Sequence, residues 1–74
     1  MTMEALVHLP RDEQRQRIGE VLYSQIREVH PNMAGKLTGM ILELELEDLL
    51  EVVHKKDKRD KMVKEAMDVL QMHY

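Results

Sequence analysis

From Ile18 to Val29 the apolar residues fall at helical spacing. Ile18, Val21, Leu22, Ile26 and Val29 are separated by three, one, four and three positions. Such a stripe buries one face of a helix of about five turns. β-branched residues nowhere form the alternating run that a strand needs. With 74 residues the chain is one small domain at most, either a whole small protein or a module of a longer one. It has no Cys, so neither disulfides nor a thiolate zinc site can staple it. A hydrophobic fraction of 43% argues against disorder. Helix packing must hold the fold, and the fold class is all-α.

Breakers and caps divide the chain. Residues 1–9 form an N-terminal turn or flexible tail, with one short turn from Met3 to His8, and residues 10–74 form the domain. Pro10 suits the first position of a helix, and Asp12 and Glu13 follow in its first turn. His30-Pro31 ends that helix, because a residue before Pro is driven from the helical region. Asn32 is the candidate N-cap of the next segment, whose stripe is Ala34, Leu37, Ile41 and Leu44, with Met40 and Leu42 on its flanks. Leu46, Leu49, Leu50 and Val53 make a fresh, offset stripe. The offset places a break near Glu43 to Glu45; one continuous helix from Asn32 to His54 is the competing reading. The last helix carries Val63, Ala66, Met67 and Leu70, with Asp57 as candidate cap. Met62, Ala66, Val69 and His73 form a second stripe on it.

Charge and inventory narrow the function. The net charge is −3, without the basic surplus of a free-standing nucleic-acid binder. One Ser, two Thr and no Gly-rich loop leave little for a nucleophile or a phosphate cradle, which argues against an enzyme. His8, His30, His54 and His73 lack ligand spacing, so no metal or other cofactor is expected. No apolar run approaches a membrane span, no secretory signal is visible, and a soluble chain is expected. An acidic cluster, Glu43 to Glu51, is followed by a basic one, Lys55 to Lys64. These are solvated faces of neighbouring helices, or the basic run is a partner-binding patch.

The central segment holds two glycines four residues apart, Gly35 and Gly39, on one helix ridge. Each costs about 1 kcal/mol against Ala in a helix, so close approach of another backbone, in the fold or in a ligand, is the physical candidate for compensation. Gly19 lies beside the first stripe on the ridge of Tyr23. A missing side chain beside an aromatic ring makes a notch into which a peptide aromatic could stack. Tight helix packing and a peptide groove both fit these glycines. The seven Met are expected mostly in the core, with an adaptable, oligomerising surface as their minority use.

Lys36-Leu37-Thr38-Gly39-Met40-Ile41-Leu42-Glu43 resembles the Lys-Ile-Thr-Gly-Met-Leu-Leu-Glu signature of the MLLE domain, the C-terminal domain of cytoplasmic poly(A)-binding proteins, also found in a HECT-type ubiquitin ligase. Gly19-Glu20-Val21-Leu22-Tyr23 resembles that family's Gly-Glu-Arg-Leu-Phe/Tyr, and His30-Pro31, Ala34-Gly35, Glu65-Ala66 and Val69-Leu70-Gln71 also match. The resemblance runs from about Asp12 to His73. Departures are Ile41 for Leu, Val21 for Arg, Glu45-Leu46-Glu47 for an Asp/Asn-Ser turn, and Lys55-Lys56-Asp57 for a Ser-Pro turn.

The resemblance implies a small right-handed superhelix of four to five helices. It implies binding of a short extended peptide, the poly(A)-binding-protein-interacting motif 2, anchored by a Leu and a Phe. The peptide Phe would stack on Tyr23, with Gln16, Gly19, Glu20, Lys36, Thr38, Met40 and Leu42 completing that region and Gly39 on the adjoining ridge. The peptide Leu would enter a second pocket lined by Met40, Ile41, Ala66, Val69 and His73. Partners would be short linear motifs of translation and deadenylation factors, in the cytoplasm. This domain would not touch nucleic acid or membrane, although its parent would bind poly(A) RNA. A ubiquitin-ligase parent and a structural, oligomerising helical domain are the alternatives.

Overall fold

A computed structural model describes residues 2–72. Within them the chain forms five helices: α1 (Met3–Leu6), α2 (Arg11–Arg27), α3 (Ala34–Ile41), α4 (Leu46–His54) and α5 (Lys56–Met72). No strand occurs among the described residues, in agreement with the all-α reading. None of the described helices is long and apolar enough to cross a membrane.

The turn expected before Pro10 is helical and tied down. The Thr2 hydroxyl accepts from Ala5 N–H at 3.2 Å, capping α1. Leu6 is buried, and its carbonyl accepts from Gln14 Nε2 at 2.8 Å, joining α1 to α2. Pro10 stands one position ahead of α2, its carbonyl accepting the first bond from Gln14 N–H at 3.0 Å. Its fixed φ and absent N–H cost nothing there, where no helical partner exists for that donor.

Asn32 is not the cap of α3. Met33 holds that position, without a side-chain cap, because Pro31–Met33 form a turn that delays the helix to Ala34. The break between α3 and α4 is real, and the continuous helix is excluded. Glu43 N–H and Leu44 N–H reach back only three residues, to Met40 and Ile41, and Glu45 is extended at φ −66, ψ 156. Asp57 is not the cap of α5 either. Lys55, extended at φ −113, ψ 111, supplies the carbonyl that accepts Arg59 N–H, and Asp57 lies in the first turn.

The core gathers Ile18, Leu22 and Ile26 of α2, Ala34, Leu37 and Ile41 of α3, Leu49 and Val52 of α4, and Val63 and Ala66 of α5. Val21 and Val29, placed on the α2 stripe by spacing, are exposed instead. Val29 follows the end of α2, so helical periodicity no longer directs its side chain. Met33, Met40, Met62 and Met67 pack half-buried against the core, as gap-filling thioethers do. Helix α3 packs against both α2 and α5, and α4 likewise packs against α2 and α5.

The α4–α5 corner is stitched by carbonyl capping. Arg59 Nη1 donates to Val52 O at 3.3 Å and Val53 O at 3.0 Å, and Gln25 Nε2 donates to Val53 O at 3.0 Å. A cation at the negative end of a helix satisfies carbonyls that have no intrahelical partner.

Candidate functional site

The α2 residues come first. Tyr23 is 40% exposed and stands one turn after Gly19. Gly19 is buried, and a Cβ there would lie 3.1 Å from Leu42 Cδ1. The notch expected beside Tyr23 therefore exists in the backbone, and Leu42 occupies it. Gln16 and Glu20 are exposed one turn apart, lining a polar hollow of about 360 Å³ with Glu13 and Arg17.

Helix α3 divides the remaining residues by face. Leu37 and Ile41 are core, with Ile41 only 2% exposed. Lys36 and Gly39 are exposed, and Met40 is half-buried. Thr38 is buried at 6% exposure, and its hydroxyl oxygen has no hydrogen-bond partner. An unpaired buried hydroxyl costs about 1–3 kcal/mol, the kind of cost that functional sites retain.

The glycine ridge differs from expectation. A Cβ on Gly35 or Gly39 would meet nothing within 4 Å. Among the described residues nothing outside α3 itself approaches either position, so packing within the described fold does not explain them. Among the described residues Gly19 alone of the three glycines mediates a close contact.

On α5, Ala66 is buried, and Val69, one turn on, is 43% exposed. His73 lies outside the described residues. Tyr23 thus stands one turn after Gly19, on which Leu42 packs, while Met40 and Val69 lie on α3 and α5, two helices that pack together.

Half of the basic run is engaged in ion pairs: Lys55, Lys56 and Lys58 of its six cations. Lys58 Nζ stands 2.6 Å from Glu51 Oε2, Lys55 3.8 Å from Glu51 Oε1, and Lys56 2.9 Å from Asp60 Oδ2. The hydrogen bond and charge of Lys58, then the charge of Lys55, hold the Glu51 carboxyl below its usual range. The same bond and the Glu51 charge raise the Lys58 ammonium. These pairs are exposed and contribute little each. Among the described residues no three His, Cys, Asp or Glu side chains could jointly hold a metal ion.

Sequence reasoning missed Leu42 as the occupant of the Gly19 notch and Arg59 as the cap of α4. It also missed an apolar groove of about 460 Å³ between the end of α2 and α5, with Val29 and Met67 among its lining. The one available signal was Val29 itself, an apolar residue directly before His30-Pro31.

Compared with known families, the chain matches the model of the MLLE domain over residues 5–70, nearly its whole length and all four helices from α2 to α5 save the last two residues.

Proposed function

The chain belongs to the MLLE domain family, and from that premise we propose that it binds extended peptides of the poly(A)-binding-protein-interacting motif 2 class. MLLE domains are protein-interaction modules that bind short peptide motifs. In the reading proposed here the peptide crosses α3. Its Phe stacks on Tyr23 and takes the place of Leu42 over Gly19. Its Leu settles between Met40 and Val69, beside Ala66. Its backbone passes over Gly39, where no side chain obstructs it. The domain thereby recruits translation and mRNA-turnover factors to a cytoplasmic poly(A)-binding parent, without itself contacting RNA.

The observation that carries this reading is the pairing of an exposed Tyr23 with a buried Gly19 on which the flexible Leu42 side chain packs. Two apolar anchors in adjacent sites can supply most of the affinity of a short peptide. Calorimetric titration with a motif 2 peptide tests it. Saturable binding is expected, reduced about 30- to 150-fold by Tyr23→Ala, the loss of roughly 2–3 kcal/mol of stacking and burial. Tyr23→Phe is expected to bind nearly as the native chain does. Equal affinity for Tyr23→Ala, with helicity intact, rejects the assignment.

A further inference from the structure

The α2–α5 groove is separate from the surface just described. Val69 lies about 160° around α5 from Met67, given 100° per residue, so the two face different sides of that helix. Ile26, Val63 and half-buried Met67 form an apolar floor, and Val29, 69% exposed, stands along one wall. Lys56, Arg59 and Lys64 line it with a single acid, Asp60, which pairs with Lys56 at 2.9 Å and leaves Arg59 and Lys64 as a cationic excess, although the chain as a whole carries −3. Arg59 is fixed there by its Nη1 bonds to the α4 carbonyls. From Lys56 to Met67 the groove runs along three turns of α5, roughly 16 Å.

We infer that this groove is a second docking site, and that its occupant is a short, acidic, amphipathic helix of another protein. Three turns of α5, faced by Ile26 at the end of α2 and by Val29 just beyond it, suit a short helix laid along α5, its apolar anchors at i, i+3 or i+4, and i+7. Val29 and Met67 offer such anchors apolar surface that no described element covers. The cationic excess suits carboxylates on the flanks of that helix and steers its approach. Among the described residues no Phe, Tyr or Trp lines the groove and His30 is its one aromatic ring, too little for the run of stacked bases that holds single-stranded nucleic acid.

The test titrates the full chain, followed by amide NMR shifts, with a synthetic helix of about fourteen residues carrying Leu at i, i+3, i+4 and i+7 and Glu elsewhere. A Lys-for-Glu version, a scrambled version and a short oligo(A) run in parallel. The expected result is saturable shifts at Val29, Val63 and Lys64 with the acidic helix alone. Val29→Asp with Lys64→Glu, both exposed positions, weakens binding about tenfold or more with an unchanged circular dichroism spectrum. Tyr23→Ala leaves this binding intact, which separates failure here from failure at the α3 surface. The inference is overturned by shifts centred on Tyr23 and Val69, by equal binding of the basic or scrambled helix, or by oligo(A) taking the groove. It is equally overturned if a second copy of the chain fills the groove in the absence of peptide, or if the acidic helix fails to saturate at about 1 mM.

Discussion

Leu42 packs directly on Gly19: a Cβ at position 19 would stand 3.1 Å from Leu42 Cδ1. A contact that tight forces the neighbour to yield, and here the neighbour is the end of a flexible side chain. Gly19→Ala gains helix propensity, about 1 kcal/mol in an exposed helix, and loses against the displaced Leu42. The two substitutions must therefore couple. In urea unfolding, Gly19→Ala should be more favourable by at least about 0.5 kcal/mol on a Leu42→Ala background than in the native chain. Additive effects would remove Leu42 as the occupant of the notch.

Gly39 separates stability from binding. Its added Cβ meets nothing, and its φ is not positive. Gly39→Ala should therefore stabilise the domain by about 0.5–1 kcal/mol, through lost freedom in the unfolded chain. Gly39→Leu should still fold and should bind motif 2 peptide less tightly. Thermal unfolding and calorimetry on the same samples check both. Loss of folding in Gly39→Leu contradicts the open space seen around the residue.

Arg59 is a structural cap, whatever its charge does for partners. Arg59→Ala should destabilise the domain by about 1–2 kcal/mol, since two carbonyls at the end of α4 lose a charged donor. Arg59→Lys should recover only part of this, because an ammonium lacks the guanidinium's fixed fork. Equal stability of Arg59→Ala and the native chain in denaturant melts would count against the capping role.

The Glu51–Lys58 pair gives a pH dependence of known sign. The Glu51 carboxyl is depressed in the folded state, so its contribution is present above the ordinary value near 4.5 and is lost as pH falls through the folded value. Lys58 is raised, so its contribution is present below about 10.5 and is lost as pH climbs past that. The melting temperatures of native chain and Glu51→Gln should differ slightly at pH 7 and converge toward pH 3. High salt should shrink the difference, since both groups are exposed. A gap that widens in acid contradicts the assigned sign.

Local chemistry made much of the fold legible. Pro10 and His30-Pro31 bracket α2 because proline acts on its own neighbours, and the α3–α4 break was visible as a shift of stripe from Ile41 to Leu46. Asn32 and Asp57 misled because a capping residue type does not place a helix start by itself. The turn at Pro31–Met33 and the extended Lys55 decided those ends. In the candidate site, Tyr23 and Gly19 were readable as one ridge of one helix. Their relation to Leu42 was not, since 23 residues and a chain reversal separate Gly19 from Leu42. The bare faces of Gly35 and Gly39 were likewise invisible before α2 and α5 were placed around α3.

The central claim is that a peptide aromatic displaces Leu42 from Gly19 and stacks on Tyr23. Intermolecular NOEs between the Phe ring of a bound motif 2 peptide and this domain test it most directly. The account predicts NOEs from that ring to the Tyr23 ring and the Gly19 Hα protons, with loss of the Leu42 methyl to Gly19 contact present in the free chain. A bound peptide whose Phe ring touches neither residue, while Leu42 stays on Gly19, contradicts it.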